Sequence, residues 1–180
     1  VATARFADYK YPISYAYVSS VRTQVVDGEE KPYVRIVSAS GKSYGMLDVS
    51  SSVSIVSIKS KFGTKDTTYQ VVYNRFPTPF EVTIKNYDTQ NIAVVYVVAK
   101  YRGEEVGRSA VVEIEPSKET KIDVEIVVDI SESEVYDTMT FEVHMINPYT
   151  MEDLQGSPIT QDVYVYIMTL STIEPVDAWG

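Results

Sequence analysis

One pattern constrains this chain more than any other: apolar and polar residues alternate in steps of two, and a helical spacing of three and four is almost missing. Successive side chains of a β-strand point to opposite faces, so alternation of this kind builds half-buried strands. Residues 51–60 show it best. Val53 and Ile55 are offset from Ser52 and Ser54, and Val56 and Ile58 from Ser57 and Lys59. Between Ile55 and Val56 the phase slips by one residue, which predicts a β-bulge or a strand buried on both faces.

The same reading runs through the rest of the chain. Residues 13–26 form a long strand that ends in the turn Asp27-Gly28-Glu29-Glu30, with 33–38 as its hairpin partner and Ser40-Gly41-Lys42 as the next turn. Strands are expected at 67–74, 80–86, 91–101, 105–115, 119–129, 138–146 and 162–170, with Tyr101-Arg102-Gly103-Glu104 as a hairpin turn. Residues 147–158 are polar and turn-rich. About ten or eleven strands joined by short turns predict an all-β fold, an antiparallel β-sandwich or jelly roll. In Arg75-Phe76-Pro77-Thr78-Pro79 two prolines stand too close for a central strand, so a switch between sheets or a sub-boundary at 75–79 is expected. Residues 1–12 alternate poorly and run into the first strand without a turn. They are read as an extended N-terminal arm, with 13–180 as the sandwich.

Composition narrows the function. Tyrosine outnumbers the other aromatics, 15 against 5 Phe and 1 Trp. An apolar body with a polar tip suits thin sheets and faces that meet partners. The formal net charge of −9 disfavours nucleic acid and anionic membranes as partners. With no cysteine there is no disulfide, no thiolate nucleophile and no Cys-ligated zinc. The longest apolar stretch, residues 92–99, has strand length, far from the roughly 18 residues of a membrane span. The chain starts at Val1 and not at methionine, as expected of a chain whose leader has been removed or whose end has been trimmed. A long N-terminal hydrophobic helix of the type IV pilin kind is not present in this sequence.

Candidates for chemistry are few. His144 is the single histidine and shares a strand face with Glu142, opposite Phe141, Val143 and Met145. It is expected to be outward and solvated, so that alanine there costs little. One histidine without cysteine leaves no His/Cys zinc site and no supported Ser-His-Asp triad. The glycines are scattered as turn residues rather than gathered in a phosphate loop. Glu113 with Glu115, and Asp123 with Glu125, could in principle act as paired carboxylates in glycoside hydrolysis. At i, i+2 each pair lies on one outward face, where acidic residues keep strand edges soluble. No catalytic residue is therefore assigned, and the chain is not expected to be an enzyme. Asp129, Glu132, Glu134 and Asp137 offer oxygen ligands for calcium in one loop, and Glu152 and Asp153 with Asp162 offer a second set. Neither has EF-hand spacing, and no other cofactor is expected. None of Asn74, Asn86, Asn91 and Asn147 begins a glycosylation sequon.

Residues 80–129 resemble one half of the CARDB-type and related immunoglobulin-like modules of microbial surface proteins. The likeness rests on "VTIKNYDTQN", then "AVVYVVAKYRGEEVG", then "VVEIEPSKETKIDVEI", with Glu115-Pro116-Ser117-Lys118-Glu119 as the final turn. It implies a surface-exposed adhesive or scaffolding module without catalysis. As a whole the chain is similar in style to archaeal extracellular filament subunits, the TasA-like bundling pilins and the cannula-type tubule proteins, which implies assembly through donated strands.

Two functions are expected from these features. The first is a structural subunit of an extracellular filament or cell-surface assembly, a homo-polymer held by β-strand donation. Its donor would be the arm, with Ala2, Ala4 and Phe6 on one face and Phe6 as the anchor. The second is a monomeric carbohydrate- or protein-binding sandwich of a secreted protein, with tyrosines as its platform.

Overall fold

In the computed structural model the alternation is realised as strands, with no helix, throughout the described residues: 2–3, 16–26, 29–38, 42–45 and 52–170. The strands are β1 (Ala2–Thr3), β2 (Ala16–Val26), β3 (Glu29–Ser38), β4 (Ser43–Gly45), β5 (Val53–Ser60), β6 (Thr64–Lys65) and β7 (Tyr69–Tyr73). They continue with β8 (Thr78–Asn86), β9 (Ala93–Tyr101), β10 (Glu104–Arg108), β11 (Val112–Ile114), β12 (Glu119–Ile126), β13 (Glu134–Met145) and β14 (Ile159–Met168). A seven-stranded sheet runs β10-β9-β13-β14-β7-β6, with β11 also on β9, and a three-stranded sheet runs β12-β8-β5. All pairs are antiparallel except β14 with β7. A further sheet, β1-β2-β3-β4, reaches the seven-stranded one where Tyr44 bridges Ile92.

The apolar phase of each strand decides which face is inside. Val95, Val97, Ala99, Met139, Phe141, Val143, Val165 and Ile167 from one sheet meet Val53, Ile58, Phe80, Val82, Ile84, Ile122, Val124 and Ile126 from the other in a single buried cluster. Phe80 and Phe141 pack across the two layers with ring centroids 5.4 Å apart, and each contributes about 1.5–3 kcal/mol by burial. The fold is thus a β-sandwich, the coarser of the two forms expected. This core takes Val53, Ile58 and Val72 from before residues 75–79 together with residues after them.

The phase slip in residues 51–60 is a bulge: the register of β5 against β8 shifts between Ile55 and Ser57, which leaves Val56 as the extra, exposed residue. The chain also changes sheets at residues 74–77, from β7 in the large sheet to β8 in the small one. Asn74 pins that crossing. Its side chain accepts from Ile130 N and donates to Ile130 O and Thr169 Oγ1. Pro79, however, does lie in a central strand, as the second residue of β8 between β12 and β5. The exclusion of proline fails here because its carbonyl accepts from Lys61 N, one residue past the end of β5. The missing N–H therefore interrupts no ladder between the named strands.

The strand expected over 105–115 is two. Ser109 separates them by donating its N–H to Val97 O and accepting Val97 N–H on its hydroxyl, so a side chain replaces one ladder bond. Arg102 and Gly103 both take positive φ, 52° and 82°, the primed two-residue turn that matches strand twist between β9 and β10. At Gly107 a Cβ would stand 2.5 Å from Glu125 O. Only glycine lets β10 approach β12 this closely, where Val127 N donates to Val106 O. A buried amide network closes the opposite end. Asn86 donates to Asn91 O, Ile114 O and Glu115 O, and Asn91 accepts from Ser43 Oγ of β4.

Candidate functional site

Edges are where a sheet can still bond, and the strands at or near the edges of this sandwich are protected to different degrees. β12 turns four exposed charged side chains outward, Glu119, Lys121, Asp123 and Glu125, and β10 covers one of its ends. Asp123 and Glu125 therefore lie on an edge strand, where their charge opposes pairing with another chain. β7 is plugged by its own neighbours: Val71 N donates to Gly63 O, Val71 O accepts from Ser60 Oγ, and Tyr73 N donates to Thr78 Oγ1. β6 is two residues long. β5 differs. It pairs with β8 on one side and, among the described residues, has no strand partner on the other. Among the described residues only its last residue is tied off on that side, by Ser60 N donating to Gln70 Oε1 at 2.7 Å. From Val53 to Lys59 the edge carries one charge, Lys59, and an exposed apolar side chain, Val56.

The outward face of the seven-stranded sheet is the second candidate. Cross-strand register places Tyr136 opposite Tyr166 and Thr138 opposite Tyr164, with Thr140 opposite Asp162. Tyr69 of β7 meets Tyr136 at 4.8 Å and Tyr164 at 5.8 Å, both edge-on, and Tyr136 meets Tyr166 at 4.8 Å. Lys65 Nζ sits 4.8 Å over the Tyr166 ring. Tyr164 is 60% exposed and Tyr136 is 45% exposed. Beside Tyr164 lies a shallow open depression lined by Thr138, Asp162 and Val163. Phe62, Tyr73 and Phe76 form a separate aromatic cluster near the turn after β5.

On the same sheet His144 is not the solvated residue expected. It does face away from the core, but its side chain is only 13% exposed. Its ring stacks on Tyr96 with centroids 4.6 Å apart and planes 2° from parallel, and Arg108 lies over Tyr96 at 5.1 Å. Nε2 contacts Glu142 at 2.9 Å and Nδ1 contacts Asp153 at 3.0 Å. The 147–158 segment brings Asp153 back over the sheet, where Ser157 Oγ also donates to it. Burial raises the Glu142 carboxyl, but hydrogen bonds from His144 and Lys100 outweigh it and leave its pKa lowered.

Three of the four acidic residues expected to hold calcium, Asp129, Glu132 and Asp137, are engaged by arginines. Arg75 Nε pairs with Asp129 at 2.8 Å, and Arg102 pairs with Glu132 at 2.7 Å and reaches Asp137 at 3.7 Å. The Arg102 hydrogen bond holds Glu132 down at about 2. Asp137 is lowered by the hydroxyl of Tyr101, which it accepts at 2.6 Å, while burial and that bond push Tyr101 up to about 12. Glu134 is exposed at the start of β13. Among the described residues no three His, Asp or Glu side chains are placed to share one ion. In the second set, Asp153 binds His144 and Asp162 accepts from Thr140 Oγ1. Glu113 is taken by Lys42 and by the Tyr44 hydroxyl, and burial with the charge of Glu113 raises Tyr44 to about 12.

Of the arm 1–12 only Ala2–Thr3 is described, paired with Tyr17 and Val18 of β2 in the same chain. Ala4 and Phe6 lie outside the described residues, as do Asp27-Gly28 and Ser40-Gly41 of the two expected turns. No described helix is long and apolar enough to cross a membrane. Compared with known proteins, the chain matches no family model and no curated sequence.

Proposed function

We propose that this chain is a structural subunit of an extracellular filament or surface assembly, joined to its neighbours by a strand added to β5. The observation that carries the reading is the contrast between edges: among the described residues β12 is guarded by charge, β7 by its own turns, and β5 from Val53 to Lys59 by neither. An extended segment laid along β5 would gain main-chain hydrogen bonds worth about 1 kcal/mol each net, with side-chain contacts at Ile55 and Val56 setting register.

The donor in this reading is the arm 1–12 of a neighbouring copy. Among the described residues its pairing with β2 in the same chain spans Ala2–Thr3, a contact that donation would exchange for one with β5 of the next copy. A contact from the arm of one copy to β5 of the next is heterologous and does not close on itself, so it propagates. The subunit performs no chemistry of its own in this account.

The test is Val56→Lys, which places a charge on the open edge without touching the core, beside deletion of residues 1–12. Parent protein should form filaments in negative stain as concentration rises, whereas both variants remain folded monomers by sedimentation and circular dichroism. A parent that stays monomeric at every concentration, or a Val56→Lys variant that assembles as the parent does, refutes the proposal.

A further inference from the structure

We propose that the tyrosine face of the seven-stranded sheet binds a neutral polysaccharide, with Tyr164 as its central stacking ring. The observation is independent of the β5 edge. Three strands distant in sequence place Tyr69, Tyr136, Tyr164 and Tyr166 in contact on one outward face. Tyr166 is buried under its neighbours and Tyr69 half-buried, while Tyr136 and Tyr164 stay exposed; exposed apolar surface usually costs solubility, so these two rings are a feature to explain.

The chemistry of the row selects its occupant. A pyranose ring is apolar on its C–H face and polar around its rim. It therefore needs a flat aromatic face beside hydrogen-bonding groups. Tyr164 offers the ring, and its neighbours in the sheet offer the rim contacts: Thr138 across the strand pair, and Asp162 two residues back in the same strand. Asp162 is already oriented by the Thr140 hydroxyl at 2.7 Å. The edge-on contacts of Tyr69 with both Tyr136 and Tyr164 fix ring positions before any ligand arrives, which lowers the entropic cost of binding.

Charge excludes the other polymers that stack on aromatic rings. Residues 52–170 carry ten Lys and Arg against eighteen Asp and Glu. Lys65 is the cation lying over this row, and it sits on Tyr166 at the end away from Asp162. Phosphate or uronate chains would thus meet net repulsion, while a neutral glycan meets none.

Native affinity electrophoresis in gels containing hydroxyethylcellulose, a soluble β-1,3-glucan, an α-mannan or polygalacturonate tests this directly. The parent chain should be slowed in at least one neutral gel and unaffected by polygalacturonate. Tyr164→Ala should weaken the retarding interaction at least tenfold, Asp162→Asn by several fold, and Tyr164→Phe little. Val56→Lys should be slowed as the parent is, which separates this site from the strand edge. Circular dichroism of each variant establishes that the fold is kept. Retardation in no neutral gel overturns the proposal, as does retardation by polygalacturonate alone or equal retardation of a Tyr136→Ala/Tyr164→Ala double variant. Loss of self-association in Tyr164→Ala without any saccharide effect would make this face a contact between copies, and would also overturn it.

Discussion

Replacing His144 with alanine is the most discriminating single change in this molecule, because sequence and structure lead to opposite expectations. Alternation alone places the residue on an outward strand face, where truncation costs almost nothing. The structure covers it. The ring lies flat on Tyr96 at 4.6 Å, an aromatic contact worth about 0.5–1.5 kcal/mol. Its nitrogens meet Glu142 at 2.9 Å and Asp153 at 3.0 Å. Whichever nitrogen carries the proton, at least one contact is an N–H donated to a carboxylate, worth roughly 1.5–3 kcal/mol when sheltered. Glu142 is 15% exposed and keeps Lys100 at 3.2 Å after the change, whereas Asp153 is 41% exposed and its share is discounted for solvent screening. The expected loss is about 2–4 kcal/mol. Urea unfolding of the parent, His144→Ala, Tyr96→Ala and the double variant measures it, and the cycle should return a stacking coupling of about 0.5–1.5 kcal/mol. His144→Phe should recover the stacking share and not the rest. A loss under about 0.5 kcal/mol for His144→Ala would refute the reasoning.

Four further outcomes rest on other contacts of the fold. Asn86→Ala should cost about 3 kcal/mol in urea unfolding, because two buried carbonyls and a part-buried one lose their donor; a change below about 1 kcal/mol would show that water replaces the amide. With Tyr44 and Tyr101 raised to about 12 from 10.0, the folded chain holds their protons more tightly than the unfolded chain. Their contribution is intact below pH 10 and is lost as pH rises toward 12, so near-ultraviolet phenolate absorbance should show these two hydroxyls ionising near pH 12 rather than near 10. At the acid end, Glu132 is lowered from 4.5 to about 2, and Asp137 and Glu142 are lowered as well. Stability present above about pH 4.5 should fall as pH drops toward 2, read as a declining melting temperature. Excess chelator should leave the melting curve unchanged, since arginines already neutralise Asp129, Glu132 and Asp137; a lower melting temperature would restore calcium to that loop.

Much of the fold was legible in the order of residues. A period of two is local information, carried by each segment without reference to any other, so the all-β class and most strand positions followed from it. The bulge at Val56 was visible as a phase slip, the Arg102-Gly103 turn as a hairpin signal, and the change of sheet near Pro77 as proline punctuation. The outward direction of His144 was legible for the same reason.

What a strand meets on either side is not local. Nothing between residues 53 and 59 states that β5 ends its sheet, because that depends on where β7, β8 and β12 settle. The tyrosine face gathers positions 69, 136, 164 and 166, which only the register of β7, β13 and β14 aligns. Arg75 and Arg102 reach the acidic residues of 129–137 across intervening chain, and the 147–158 segment folds back to cover an outward histidine. Side-chain periodicity thus determined which residues face inward. Long-range strand pairing and loop placement decided which outward residues stay exposed, and with them the surfaces through which this protein can act.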